Sequence, residues 1–139
     1  MLKLVIDTNV IISALLKPES NPALILSLIL RGDCRLCLTE KIFTEYEEVW
    51  GRSKFKNMDH TSVRRFLSTL RKRALWVIPK VAIDVAKDPD DNAFLECAVE
   101  SKADFLITGN IHHFPEKKFH RTSILTPAEF VSFAVKIIK

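Results

Sequence analysis

The chain has 139 residues, 47% of them hydrophobic, and its 21 Lys plus Arg against 17 Asp plus Glu leave a net charge of +4. That length can bury one sizeable core and predicts a single domain over residues 1–139, and the mild cationic excess suits a polyanionic partner. The longest apolar stretch, Ala23-Leu24-Ile25-Leu26-Ser27-Leu28-Ile29-Leu30, closes at Arg31-Gly32-Asp33, well short of the roughly 20 residues a membrane span needs.

Met1-Leu2-Lys3 leads to acidic Asp7 rather than to the basic region and cleavage site of a signal peptide, so a cytoplasmic location without membrane association is expected. Three cysteines are an odd number and fit a reducing compartment better than a disulfide framework. Cys34 and Cys37 lie three apart in a segment that alternates like a strand, which points them to opposite faces. Without a second C-x-x-C to complete a zinc site, they read as ordinary buried thiols.

In chain order, period and punctuation predict a strand over 2–6, then helical stretches over 9–16 and 22–31, the second opened by Asn21-Pro22 and stopped by Gly32. A strand follows over 34–38. Thr39 can cap a helix over 40–50 in which Ile42, Tyr46 and Val49 recur at helical spacing. A basic helix over 59–73 carries the stripe Val63, Phe66, Leu67 and Leu70, with Arg64, Arg65, Arg71, Lys72 and Arg73 largely outside it. Trp76-Val77-Ile78 reads as a short strand, 91–101 as a helix, 104–108 and 123–125 as strands. Thr126-Pro127-Ala128-Glu129 opens a terminal helix. Strands alternating with helices imply right-handed crossovers and a three-layer α/β/α sandwich around a mostly parallel sheet.

Four polar positions fall where such a sheet keeps its ligand site, at the carboxyl ends of strands. Asp7 follows the first strand; a helix cap would explain it equally, but Thr8 or Asn9 can do that capping and leave Asp7 free. Glu45 adjoins the apolar stripe at Tyr46, where an inward carboxylate needs a partner or a metal, although its neighbours Glu40, Glu47 and Glu48 read as solvated charges. Asp91 belongs to the turn Asp88-Pro89-Asp90-Asp91, in which some acids are turn or cap residues; it precedes Ala93-Phe94-Leu95 and can project from the start of a packed helix. Asp88 is an outer candidate. Asn110 follows Leu106-Ile107-Thr108-Gly109, and its carbonyl oxygen can ligate a hard cation. His112 and His113 read as solvated loop residues. If the four converge, an acidic pocket on a basic protein calls for a divalent cation, and oxygen ligands select Mg2+ or Mn2+.

Taken together, Val5-Ile6-Asp7-Thr8-Asn9-Val10, Glu45-Tyr46-Glu47-Glu48-Val49, residues 88–98, Ile107-Thr108-Gly109-Asn110 with His113-Phe114-Pro115, and Leu125-Thr126-Pro127-Ala128-Glu129-Phe130 resemble the PIN-domain family of ribonucleases. The likeness is greatest to the toxin-like members of prokaryotic toxin–antitoxin pairs. Order and spacing across nearly the whole chain carry the resemblance, since each fragment alone is unspecific. It implies that Asp7, Glu45 and Asp91 are metal-binding acids and that Asn110 stands where the family's fourth acid is often an aspartate. It also implies hydrolysis of single-stranded RNA, a protein antitoxin and a homodimer.

In that reading Asp7, Glu45, Asp91 and Asn110 form the catalytic and metal-binding set, and Thr8 and Thr108 stand beside them as hydrogen-bond donors. Arg64, Arg65, Arg71, Lys72 and Arg73, with Lys117, Lys118 and Arg121, are the cations available to phosphates. Apolar surface around Ile12, Leu15, Leu16 and Leu28 would suit an interface or the core. A receiver-type phosphoacceptor would need more acids after the first strand and a lysine after the last, and a haloacid-type phosphatase an aspartate where Asn9 stands. The remaining alternative is a non-catalytic RNA- or antitoxin-binding module on the same fold, its metal site weakened by Asn110.

Overall fold

Leu4, Val5 and Ile6 are successive residues with no solvent exposure, as expected of a strand covered on both faces. They belong to β1 (Leu2–Ile6), the centre of a six-stranded sheet in the computed structural model, which describes residues 1–52 and 59–137. Next come α1 (Thr8–Leu16), α2 (Asn21–Arg31), β2 (Cys34–Leu38), α3 (Glu40–Trp50), α4 (His60–Arg73) and β3 (Leu75–Trp76). The remainder is α5 (Asn92–Ser101), β4 (Phe105–Ile107), β5 (Lys118–Phe119), β6 (Thr122–Leu125) and α6 (Pro127–Ile137). The strands stand in the order β3-β2-β1-β4-β6-β5, all parallel except the pairing of β5 with β6. Helices cover the sheet, with α5 against β1, β2 and β4 and α2 against β2 and α6, giving the expected three-layer α/β/α arrangement. Among the described residues no helix is long and apolar enough to cross a membrane.

Local signals set most boundaries. Ser20, Thr39 and Asp59 accept backbone N–H bonds at the starts of α2, α3 and α4. Gly32 ends α2 at φ +87°, a conformation costly for a side chain, and the bonds from Gly32 N to Ile29 O and from Asp33 N to Leu28 O close the last turn. Cys34, Cys37 and Cys97 are buried free thiols, and burial pushes Cys34 up to about 11. Such thiols hold their protons and pack as small hydrophobes.

Two expectations need correction. The strand placed at Trp76-Val77-Ile78 lies one residue earlier; Val77 N still donates to Leu38 O, but Ile78 is 84% exposed, beyond the end of its partner strand. The hairpin of β5 and β6 was not expected, because a two-residue strand followed by a turn at His120, itself at φ 54°, leaves no period to read. Of the apolar residues on the early helices that suited an interface or the core, Ile12 and Leu28 are core at 7% exposure, Leu15 is half-buried and Leu16 is exposed, as is Leu24.

Candidate active site

The chain builds β2 and β3 on one side of β1 and β4, β6 and β5 on the other. The strand order therefore reverses between β1 and β4, and a crevice opens beyond their carboxyl ends. Asp7 leaves β1 at that point, its N–H donating to Ile107 O at 2.9 Å. The residue is 5% exposed. Its Oδ1 accepts from Asn9 N at 3.0 Å and its Oδ2 from the Thr108 hydroxyl at 2.7 Å. Asp7 is thus itself the cap of α1, where Thr8 or Asn9 was expected; Thr8 lies inside the first turn and its hydroxyl donates instead to Glu45 Oε2. Capping and a site role do not compete, because a carboxylate has about four acceptor positions and these bonds fill two.

Thr108 is fully buried and serves both sides of the crevice: it donates to Asp7 and accepts from Asn110 N at 3.0 Å. One hydroxyl therefore fixes the end of β1 relative to the loop after β4. Glu45 is brought in by its neighbour. Tyr46 is fully buried and donates its hydroxyl to Ile6 O at 2.6 Å, which holds α3 against the end of β1 and leaves half-buried Glu45 facing Thr8. The Tyr46 hydroxyl is pushed well above its usual pKa by burial and, less strongly, by charges that include Asp7 and Glu45.

Asp91 arrives from the other direction. Asp88 accepts from Asp90 N at 3.0 Å and Pro89 opens a single 3-10 turn, Pro89–Asp91. Asp91 then occupies the cap position of α5 without making a capping bond. Its Oδ2 instead accepts from His113 Nδ1 at 3.1 Å, and its side chain is 14% exposed. The carboxyl is raised from its usual range by burial first and the charge of Asp7 second; the His113 bond works against that shift and Asp88 adds to it. The charge of Asp7, at the end of β1, thus acts on Asp91 and disfavours its ionised form.

The segment before this turn is held by α5. Glu100 Oε1 accepts from Lys80 N at 3.1 Å, Glu96 Oε2 from Ile83 N at 2.9 Å, and Asn92 Oδ1 from Val85 N and Ala86 N at 3.1 and 2.9 Å. These acceptors recur every four residues on one helix face. Sequence reasoning missed Asn92 as a positioning residue and took His113 for a solvated loop residue. His113 is half-buried against Asp91, and no spacing signal links residues 22 apart in sequence. The cue for Asn92 was a polar residue beside Ala93-Phe94-Leu95, and it is 7% exposed.

Asp7, Glu45 and Asp91 bring carboxylate oxygens to this end of the sheet, the ligand type that hard cations prefer, and the one imidazole beside them, His113, is bonded to Asp91. Two carboxylates, one of them held above its usual range by burial first and by the other's charge second, leave negative potential that a cation relieves. Among the described residues no three His, Cys, Asp or Glu side chains form a closed cluster able to hold an ion unaided.

The sequence matches the PIN domain family over residues 3–112. It is 31% identical to an uncharacterized protein of Methanocaldococcus jannaschii over 147 aligned positions, covering 99% of this chain and 94% of that protein. Among solved structures it resembles VapBC2 from Rickettsia felis bound to a DNA fragment from their promoter, with a TM-score of 0.58, 13% identity, and coverage of 90% of this chain and 98% of that one. The family match takes in β1 through the loop after β4, the stretch that carries Asp7, Glu45, Asp91 and Asn110, and by it the chain belongs to the PIN-domain family.

Proposed function

We propose that the protein is a metal-dependent endoribonuclease that hydrolyses phosphodiester bonds of single-stranded RNA, acting as the toxin of a toxin–antitoxin pair. The observation that carries the reading is the switch between β1 and β4, where the charge of Asp7 acts on Asp91 beside the Glu45 and Thr108 oxygens. PIN domains are generally nucleases that use divalent metals, and the shared fold extends to a VapBC structure.

Asp7 and Asp91 would hold Mg2+ or Mn2+, with Glu45 as a ligand or an orienter of the attacking water and Asn110 as a neutral auxiliary ligand. An ion held there supplies Lewis-acid polarisation of the scissile phosphate and relief of developing negative charge. Thr108 and Thr8 keep Asp7 and Glu45 in place through the hydroxyl bonds they donate, as outer hydrogen bonds do for metal ligands. His113 steadies the ionised form of Asp91. A single strand is the favoured substrate because its backbone can bend into a crevice that a duplex cannot enter. A protein antitoxin and a homodimer complete the reading, with Leu16 and Leu24 as exposed apolar residues on α1 and α2.

Asn110 supports a second reading, a binding module that has lost catalysis, since it contributes no charge to the site. The test of both is cleavage of a mixed single-stranded RNA pool in manganese or magnesium by the native chain, Asp91→Asn and Asn110→Asp. Metal-dependent cleavage that disappears in Asp91→Asn is the expected result, and a gain in Asn110→Asp would show that the missing charge limits the native protein. RNA binding in chelator with no cleavage under either metal would favour the binding module.

A further inference from the structure

Glu40, at the start of α3, lines two grooves that meet at its side chain. One, of about 310 Å³, runs past Lys41, Glu45, Glu48 and Asp90 beside the candidate site. The other, of about 650 Å³, is lined by Ser68, Arg71, Lys72, Trp76, Val77 and Ile78. In the second groove the guanidinium of Arg71 lies 5.2 Å from the centre of the Phe43 ring and 4.9 Å from that of Trp76. The two rings meet edge to face at 5.7 Å. Arg71 also pairs with Glu40 at 3.3 Å, and Trp76 Nε1–H donates to Arg71 O at 2.8 Å.

Three contacts therefore fix this side chain, with Trp76 also tied to the backbone carbonyl of Arg71, yet 51% of the side chain remains exposed. A cationic plane held against aromatic rings and open to solvent is a stacking surface for a nucleobase. The ion pair with Arg71 offsets the charge of Glu40, and exposed Lys72 adds attraction for phosphate. Within the first groove, Glu45, Glu48 and Asp90 repel a phosphate, so an RNA strand leaving the site next finds a grip beyond Glu40, in the second. Glu40 and Glu45 are separated by about 7.5 Å of helix axis, which makes a nucleotide held at Arg71 a near neighbour of the reacting one.

We propose that Arg71, Trp76 and Lys72 form a subsite that stacks and anchors a flanking nucleotide of a single-stranded RNA whose reacting phosphate lies at Asp7 and Asp91. The proposal rests on the ribonuclease reading. Its test separates the two by measuring binding of a fluorescent single-stranded oligoribonucleotide of about ten residues in chelator, where no metal-dependent cleavage occurs, and cleavage in manganese separately.

Arg71→Leu is expected to bind about tenfold more weakly and to flatten the dependence of log affinity on log salt by about 0.7. Arg71→Lys should keep the salt slope but lose much of the affinity, because the charge stays and the plane goes. Trp76→Leu should weaken binding about five- to tenfold at an unchanged slope. Lys72→Gln, on the exposed face of α4, carries little packing cost and should flatten the slope by about 0.7 with a small loss of affinity. In manganese the same variants should raise KM and leave kcat within about twofold. Thermal melting identifies variants that fail to fold, and Lys72→Gln with ultraviolet cross-linking of RNA to Trp76 then decides. Unchanged affinity and slope in the folded variants, with no cross-link at Trp76, would overturn the subsite and leave the groove to a protein partner. Binding that depends on Arg71 without any cleavage would keep the subsite and remove the catalytic reading. Cleavage with binding indifferent to these variants would do the reverse.

Discussion

Asp7 and Asp91 face the same crevice but are held there by opposite means. Asp7 is tied into the backbone: it ends the central strand, caps α1, and accepts the hydroxyl of a fully buried threonine. Asp91 ends a single 3-10 turn, caps nothing, and is steadied by one imidazole against the repulsion of Asp7. One acid is part of what folds the chain, and the other is tolerated by it. In the proposed role, the site would combine one ligand whose position is fixed with one whose charge stays costly until a cation arrives.

Asp7→Ala is the strongest way to break the contrast, because it should damage both function and fold. RNA cleavage should fall by about 10²-fold or more, and chemical denaturation should show a loss of about 1–2 kcal/mol from the missing cap. Asp91→Asn should remove cleavage as fully but move stability the other way. The folded pKa of Asp91 lies above its unfolded value, so the folded state holds the proton more tightly. Its contribution to stability is therefore present at low pH and is lost as pH rises from the ordinary carboxylate range through the raised value. Metal-free Asp91→Asn should melt on the order of 1–3 °C above the native chain at neutral pH and level with it in acid. A lower melting temperature at neutral pH would show that Asp91 is stabilising and sink the contrast.

Thr108→Val probes the link between the two sides. It leaves Asp7 Oδ2 and Asn110 N without their shared partner, and should cost about 1–3 kcal/mol and about tenfold in cleavage. The smallest effect belongs to His113→Ala, which removes the bond that lowers the pKa of Asp91. The acid limb of the pH–rate profile should move to higher pH with a change of only a few fold in maximal rate. An unmoved limb would mean that Asp91 does not govern it.

The sheet was legible because its strands are buried on both faces and so read as unbroken apolar runs, as in Leu4-Val5-Ile6 and Leu36-Cys37-Leu38. The ends of β1 and β4 followed from that, and with them the positions of Asp7 and Asn110. Asp88, Pro89 and Asp91 announced a turn, but which acid would cap and which would turn inward depends on His113, a contact between distant parts of the chain. The antiparallel β5 was hidden for a different reason: two residues are too few to show a period, and their pairing comes from the turn at His120.

The row of acceptors at Asn92, Glu96 and Glu100 makes α5 a ruler for a stretch that has no regular structure of its own. Each graduation is one step of four residues, about 6 Å of helix, and the incoming chain is fastened to it at Ala86 and Val85, at Ile83 and at Lys80. A residue inserted into α5 between Asn92 and Glu100 would rotate the later marks by about 100° away from their N–H partners. The path from the sheet's edge strand to Asp91 therefore has its length set by the helix that follows it, and a surface segment that looks free to vary is gauged from the far side of the site.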